Sequence, residues 1–314
     1  MKSKISYVLL LLLIPACQKE LDIPDTGRKL VINGLVTTDS IMGINITKSL
    51  YINDSTKWLG ADIINNVQVY IYKNTVVDSL MFCSDRPTYP GTEIQLNYRA
   101  TYLKPISGQQ YKIVAKAPGF PDTQAIINIP QLVPIDRVDT NVVTLSGTFE
   151  DWQSNIRLVC DVQFNDPKNE QNYYLFNVYR GVDDFQRTNM EFICNDPVAE
   201  EEELNHGTIK FGVAFSDKAI NGKQHRITVT LDGKNIGMPF WNDNSPFPSH
   251  KTTLYFRLYS ITEDYFKYIQ TLNLFLKNHK NPLAEPTQVY SNITGGYGIF
   301  AGAAVSSDSI VFKY

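Results

Sequence analysis

The chain has 314 residues, a formal net charge of −3 and 43% hydrophobic residues. That apolar share is ordinary for a globular protein and supports a sizeable core. The slightly acidic balance argues against nucleic acid as a partner, which usually demands a basic face. Aromatics at 12%, with 18 Tyr and 16 Phe, suit β-rich structure.

The N-terminus carries an export signal. Met1-Lys2-Ser3-Lys4 is positive, Ile5 to Ile14 is apolar apart from Ser6 and Tyr7, and Pro15-Ala16-Cys17 follows. The run suits a cleaved secretory signal and is too short to span a bilayer, which needs roughly 20 apolar residues. No later stretch approaches that length. A small residue followed by cysteine resembles a bacterial lipobox, in which the cysteine becomes the lipidated first residue of the mature protein. Residues 1–16 are therefore expected to be removed and Cys17 to carry acyl chains; more than one chain gives a stable anchor. Gln18-Lys19-Glu20 then resembles the surface-export signal of Bacteroidota lipoproteins, which implies an outer-membrane protein facing the cell surface.

Removing residues 1–16 leaves roughly 300, enough for about two domains. Residues 17–28 are polar, with Pro24 and Gly27, and read as the lipidated tether. Residues 29–133 read as a β-sandwich domain. Leu30–Val36, Gly43–Thr47, Val67–Tyr72, Val76–Phe82, Gly108–Ala117 and Ala125–Pro130 are short, β-branched or alternating, and bounded by turn residues. The pattern looks like the immunoglobulin-like or transthyretin-like sandwiches of exported bacterial proteins. Pro130 to Pro134 reads as a linker.

Residues 134–314 read as a larger β-rich C-terminal domain. Strands are expected at Ile156–Phe164, Tyr173–Arg180, Ile209–Phe215, Gln224–Leu231, Thr252–Leu258 and Ser309–Phe312. One amphipathic helix interrupts them. Ser260-Ile261-Thr262-Glu263 has the form of a capping box, and Tyr265, Tyr268, Ile269, Leu272, Phe275 and Leu276 recur on one face, the simplest reading being a face packed on a sheet. Lys277, His279 and Lys280 suit its C-terminal end and Pro282 stops it.

No local motif carries chemistry. Gly296-Tyr297-Gly298-Ile299-Phe300-Ala301 fits a dinucleotide fingerprint, but no helix or distant acidic residue follows it, so close backbone packing is the better reading. His206, His225, His250 and His279 are isolated. Cys83, Cys160 and Cys194 have no zinc-site spacing, and Cys160 belongs to an alternating strand that points it into the core; a Cys160–Cys194 bridge stays open. Glu200–Glu203 reads as a solvated acidic loop rather than a calcium loop, because the glycine-punctuated ligand spacing is missing. No catalytic residue, metal or cofactor is expected. The loop containing Trp241, Asn242, Asp243 and Asn244 joins an aromatic to amides and is the candidate contact for a glycan or peptide.

Three regions carry a wider resemblance, and in the C-terminal one Tyr265-Phe266-Lys267-Tyr268 leads to two further stretches. Asn281-Pro282-Leu283-Ala284-Glu285-Pro286 and Val289-Tyr290-Ser291-Asn292-Ile293-Thr294-Gly295-Gly296-Tyr297-Gly298-Ile299-Phe300-Ala301-Gly302 are the specific part. Leu30–Leu35 and Tyr173–Phe176 also fit. The chain resembles the Bacteroidota lipoprotein family catalogued as domain of unknown function 4249. Ala301 stands where many members carry a further glycine. The resemblance implies a gene neighbourhood with TonB-dependent receptors and supplies no catalytic residues. The expected function is a non-enzymatic accessory or ligand-capture subunit of a TonB-dependent outer-membrane β-barrel transporter. The alternatives are a stand-alone glycan- or peptide-binding surface lipoprotein and a hydrolase whose site assembles only in space.

Overall fold

The computed structural model describes residues 27–50, 63–84, 95–144, 156–183, 186–198, 208–209, 212–236, 251–278, 285 and 287–313. The fold is mainly β. The N-terminal half holds β1 (Leu30–Thr37), β2 (Gly43–Lys48), β3 (Gln68–Lys73), β4 (Val76–Phe82), β5 (Tyr98–Ala100), β6 (Gln110–Lys116) and β7 (Thr123–Asn128). The rest holds β8 (Ile135–Thr144), β9 (Ile156–Asn165), β10 (Tyr173–Asp183), β11 (Gln186–Asn189), β12 (Phe192–Cys194), β13 (Thr208–Ile209), β14 (Val213–Ser216) and β15 (Gln224–Asp232). A single turn, α1 (Gly233–Ile236), precedes β16 (Lys251–Ile261), and α2 (Glu263–Asn278) separates β16 from β17 (Tyr297–Lys313).

Alternation decides which face each strand buries. In β6, Tyr111, Ile113 and Ala115 are buried between half-exposed and exposed neighbours. In β7 the buried set is Thr123, Ala125 and Ile127. A period of two puts each set on one side of its strand. Asn74, at a φ of 52°, takes the left-handed turn that folds β4 back on β3.

One sheet runs β11-β10-β16-β17-β1-β2-β5-β4-β3-β6-β7, with β14 also pairing β10. Its first-half strands curl until β7 meets the segment before β17. There Gln124 and Thr294 exchange two backbone hydrogen bonds, at 3.0 and 2.9 Å. The curl encloses a core of Ile32, Ile44, Ile71, Tyr111, Ile113 and Phe300, among others. The second sheet, β13-β12-β15-β9-β8, packs on β10, β14 and β16 around Val162, Phe164, Phe176, Phe215, Val229 and Phe256. Each fully buried side chain of this kind stabilises the fold by roughly 2 kcal/mol. Core membership changes between Ile129, in the first, and Val133, in the second.

Strand β17 serves both halves. Tyr297–Ala303 pair in parallel with Val31–Thr37, while Ala303–Lys313 pair antiparallel with Lys251–Ile261. The parallel seam brings backbones close. Gly298 has a φ of +98°, and a Cβ there would overlap the Ile32 carbonyl oxygen. The glycines of the fingerprint-like motif therefore serve close backbone packing, Gly298 inside the strand and Gly296 in the bend before it, and the strand begins twelve residues before the expected Ser309.

The helix differs from its sequence pattern in two ways. Ser260 lies inside β16, paired with Ala304, so it does not cap. Thr262 takes the cap position instead, and its carbonyl accepts the Tyr265 and Phe266 amides at 3.0 and 3.1 Å. The buried residue is Phe266, outside the expected stripe, whereas Phe275 and Leu276 at its far end are exposed. Only the N-terminal half of α2 lies against the sheet, where Phe266, Tyr265 and Ile269 join Leu175, Tyr259 and Ile261. The stretch expected as one strand at 209–215 is split between β13 and β14, which pair with different partners. Strands β5 and β8 had no sequence signal of their own.

Cys160, Val229 and Cys194 stand side by side on β9, β15 and β12. An intervening strand puts the two cysteine Cα atoms roughly 9–10 Å apart, beyond the reach of a disulfide. Cys160 is fully buried, and burial with the neighbouring Asp161 charge pushes its thiol up to about 12. In denaturant-free buffer a thiol reagent should leave Cys160 unmodified, and unfolding should release it. Mass spectrometry of the labelled peptides checks this; rapid labelling of Cys160 in the native protein would contradict the packing.

Substituting Gly298→Ala should cost about 3 kcal/mol or more, from the left-handed backbone and the overlap together. Gly119 has a similar φ of +81° but open space around it. Its alanine variant should lose only about 1 kcal/mol. Urea unfolding of both variants separates crowding from backbone strain.

Candidate functional site

A cleft of about 300 Å³ lies between β7 and the start of α2. One wall is Ile126, Ile127, Asn128 and Pro130. The other is formed by Gln171, Asn172 and Tyr173 at the start of β10, with Ile261, Thr262, Glu263 and Asp264 at the β16–α2 junction. The first wall belongs to the first sandwich and the second to the other half of the molecule.

β7 is the last strand of its sheet, so one row of its backbone groups faces the cleft side. Ile129 donates its amide to Gln109 of the β6 side at 2.9 Å, whereas Gln124 bonds outward to Thr294. Alternation then turns the amides and carbonyls of Ile126 and Asn128 outward. Neither residue has a backbone partner on that side among the described residues.

The opposite wall holds several donors without partners. Thr262 would ordinarily cap the helix with its hydroxyl, but its Oγ1 is buried and unpaired among the described residues, as is Asn172 Nδ2. The amides of Glu263 and Asp264, in the first turn of α2, have no partner among the described residues. A buried unpaired polar atom costs about 1–3 kcal/mol, so such groups call for an explanation.

The acids beside them are already engaged. Glu263 pairs with Lys267 one turn on, at 2.9 Å. Asp264 accepts the Tyr290 hydroxyl at 2.5 Å and the Asn292 amide at 3.0 Å. Asn292 also holds the Phe300 backbone, accepting its amide at 3.0 Å and donating to its carbonyl at 2.7 Å. Tyr290 donates its backbone amide to Thr271 at 2.8 Å. These contacts clamp the segment before β17 along α2 and fix where the helix begins.

Other polar clusters have structural partners. Asp166 accepts the Tyr174 hydroxyl at 2.5 Å and the Gly222 amide at 2.8 Å. Asp217 accepts the Asn172 amide at 2.8 Å, and burial holds its carboxyl above the usual range. His225 Nε2 lies 2.9 Å from Asp196, with Phe164 and Phe215 packed around its ring. Arg257, 5% exposed, pairs with Asp39, donates to Tyr259 at 3.0 Å and lies beside the Tyr179 ring. No group of three or more His, Cys, Asp or Glu among the described residues is placed to hold a metal.

The site residues expected from sequence lie outside the described residues: Cys17, Gln18, Lys19 and Glu20 at the anchor, and Trp241, Asn242, Asp243 and Asn244 in the aromatic loop. So do Glu200–Glu203, His206, His250 and His279. The cleft had no sequence signal, because Gln171, Asn172 and Asn128 meet only through the curl of the sheet.

Burial, reinforced by the Asp264 carboxylate, pushes the Tyr290 hydroxyl up to about 12. A phenol whose value is raised on folding contributes stability that is complete below its unfolded value near 10. That contribution is lost as pH rises through the folded value. Tyrosinate absorbance of wild type minus Tyr290→Phe should therefore titrate near pH 12, and Asp264→Asn should bring the midpoint down. A Tyr290 midpoint near 10 in the wild type would show that the clamp does not form.

No curated protein matches the chain. The family described as Domain of unknown function (DUF4249) matches residues 18–309. That match takes in both sandwiches, the clamp and the cleft, and the chain belongs to the DUF4249 family.

Proposed function

We propose that the protein is a lipid-anchored outer-membrane protein, facing the cell surface, that captures ligand as a non-enzymatic accessory of a TonB-dependent transporter. The observation that carries the anchor is the signal ending in Pro15-Ala16-Cys17, with the family match beginning at the next residue, 18. Twelve residues, Gln18 to Lys29, then separate the lipid from β1. A segment of that length spans at most about 40 Å, which sets the furthest the folded body can stand from the bilayer. The cleft of about 300 Å³ supports the capture role, being at the small end of ligand-site sizes. The transporter partner is supported by what the family resemblance implies about neighbouring genes.

Two measurements test the reading. Labelled palmitate should enter the wild-type chain and not the Cys17→Ala variant; equal labelling would remove the anchor. A copy tagged after Tyr314, purified from outer membranes in mild detergent, should bring down a TonB-dependent barrel in near-stoichiometric amount. Purification of the lipidated protein alone would favour the stand-alone glycan- or peptide-binding reading.

A further inference from the structure

We infer that the cleft receives an extended peptide segment, which adds as a strand to the open edge of β7. The inference rests on the ligand-capture part of the proposed function and not on the transporter.

The outer ladder of β7 is used once and then left open. Gln124 is bridged to Thr294, but the pairing does not continue to Ile126 among the described residues, and Asn292 is held instead by Asp264 and by Phe300. The next outward positions, Ile126 and Asn128, face the cleft without ladder partners among the described residues. Alternate residues of a strand repeat roughly every 6.8 Å. An amide and a carbonyl at each of two such positions match the backbone of another extended chain. The hydroxyls of a sugar ring carry no such repeat.

The far wall supplies the second set of contacts. Asn172 Nδ2, Thr262 Oγ1 and the first two amides of α2 are donors that have no partner among the described residues, and Thr262 is 9% exposed. The two side-chain atoms are covered by the wall, so a bound segment reaches them only if their rotamers change. Peptide carbonyls are the acceptors such donors take. Glu263 and Asp264 are engaged by Lys267, Tyr290 and Asn292 but keep their charge, with one lysine beside two carboxylates. The cleft thus disfavours an acidic side chain and favours a stretch of backbone. Ile126, 54% exposed, adds an apolar side chain beside it.

The test uses the lipidated protein in detergent. A display library of random heptapeptides is selected on it, and the recovered peptides are titrated by fluorescence anisotropy. Ile126→Val measures the share of binding that belongs to the side chain, and the proline variant is read against it. Ile126→Pro removes one outward amide on an edge strand, where proline is tolerated. It should weaken binding about tenfold, the net worth of one hydrogen bond. Near-ultraviolet circular dichroism reports whether that variant keeps its fold. If it does not, singly N-methylated peptides on the wild-type protein give the same answer: binding should fall at alternate positions only. Peptides indifferent to Ile126→Pro, or to N-methylation at every position, would overturn the inference. So would a failure to recover any binding peptide, whether or not cellotriose or chitotriose binds. Copurification of a barrel enters none of these readouts, so the two readings fail separately.

Discussion

The fold depends on one strand having two different neighbours. β17 is parallel to β1 along its first half and antiparallel to β16 along its second. It thereby places Phe300 in the first core, while its second half continues the sheet that covers the other core. The partners are remote in the chain: Val31 pairs with Tyr297. Such a contact forms only after most of the chain has been ordered or looped out, and its closure entropy must be offset by the cores that it completes. The ion pair of Arg257 with Asp39 crosses the same seam, from β16 to the β1–β2 turn. Taking a guanidinium out of water is costly, and here Nε of Arg257 and Oδ1 of Asn177 also go without partners among the described residues. A pair of that kind is a poor source of net stability. Its value lies in register, since a slipped β1 would leave a buried charge uncompensated.

The most specific block of the family resemblance acquires a physical meaning in this setting. Tyr290 and Asn292 are the clamp on Asp264, Thr294 is the bridge to β7, and Gly298 is the close approach to β1. Each has a structural task, and none points to chemistry. Substitution there would disturb the seam and the start of α2 together. A motif that looks functional because it is distinctive is in this chain a device for joining two sandwiches.

Much of the fold was legible because strands with one buried face announce themselves. β3, β6, β9 and β15 alternate cleanly, and their expected bounds lie within a residue or two of those observed. β5 is three residues long and β8 carries exposed Asp136, Arg137, Thr140 and Asn141 within it, so neither leaves a period to read. The helix cap was misplaced for a different reason. Ser260 and Thr262 are both good caps locally, and the choice was made by the β16–β17 ladder, which holds Ile261 opposite Ala303. The apolar stripe misled in the same way: Phe275 and Leu276 have the right spacing, but the sheet beneath α2 reaches only its first turns. The cleft was illegible in principle. Its donors become unpaired, and the β7 edge becomes open, only through contacts between residues remote in the chain.

The same seam bears on how the cleft works. Its walls come from the two halves of the molecule, and in most two-part proteins such a cleft opens and closes as the parts move. Here both parts share β17, and the wall next to the cleft is tied to it directly. The Thr262 amide donates to the Gly302 carbonyl at 3.1 Å, and Phe266 packs on Tyr173 with ring centroids 4.9 Å apart. Opening the cleft would require breaking ladder bonds, not bending a linker. The walls are therefore held at a fixed separation. A bound segment need not draw on its contact energy to close a hinge, and only the rotamers of Thr262 and Asn172 remain to be ordered. Selectivity then follows from what fits between fixed walls, and affinity from how many of the unpaired donors the occupant satisfies.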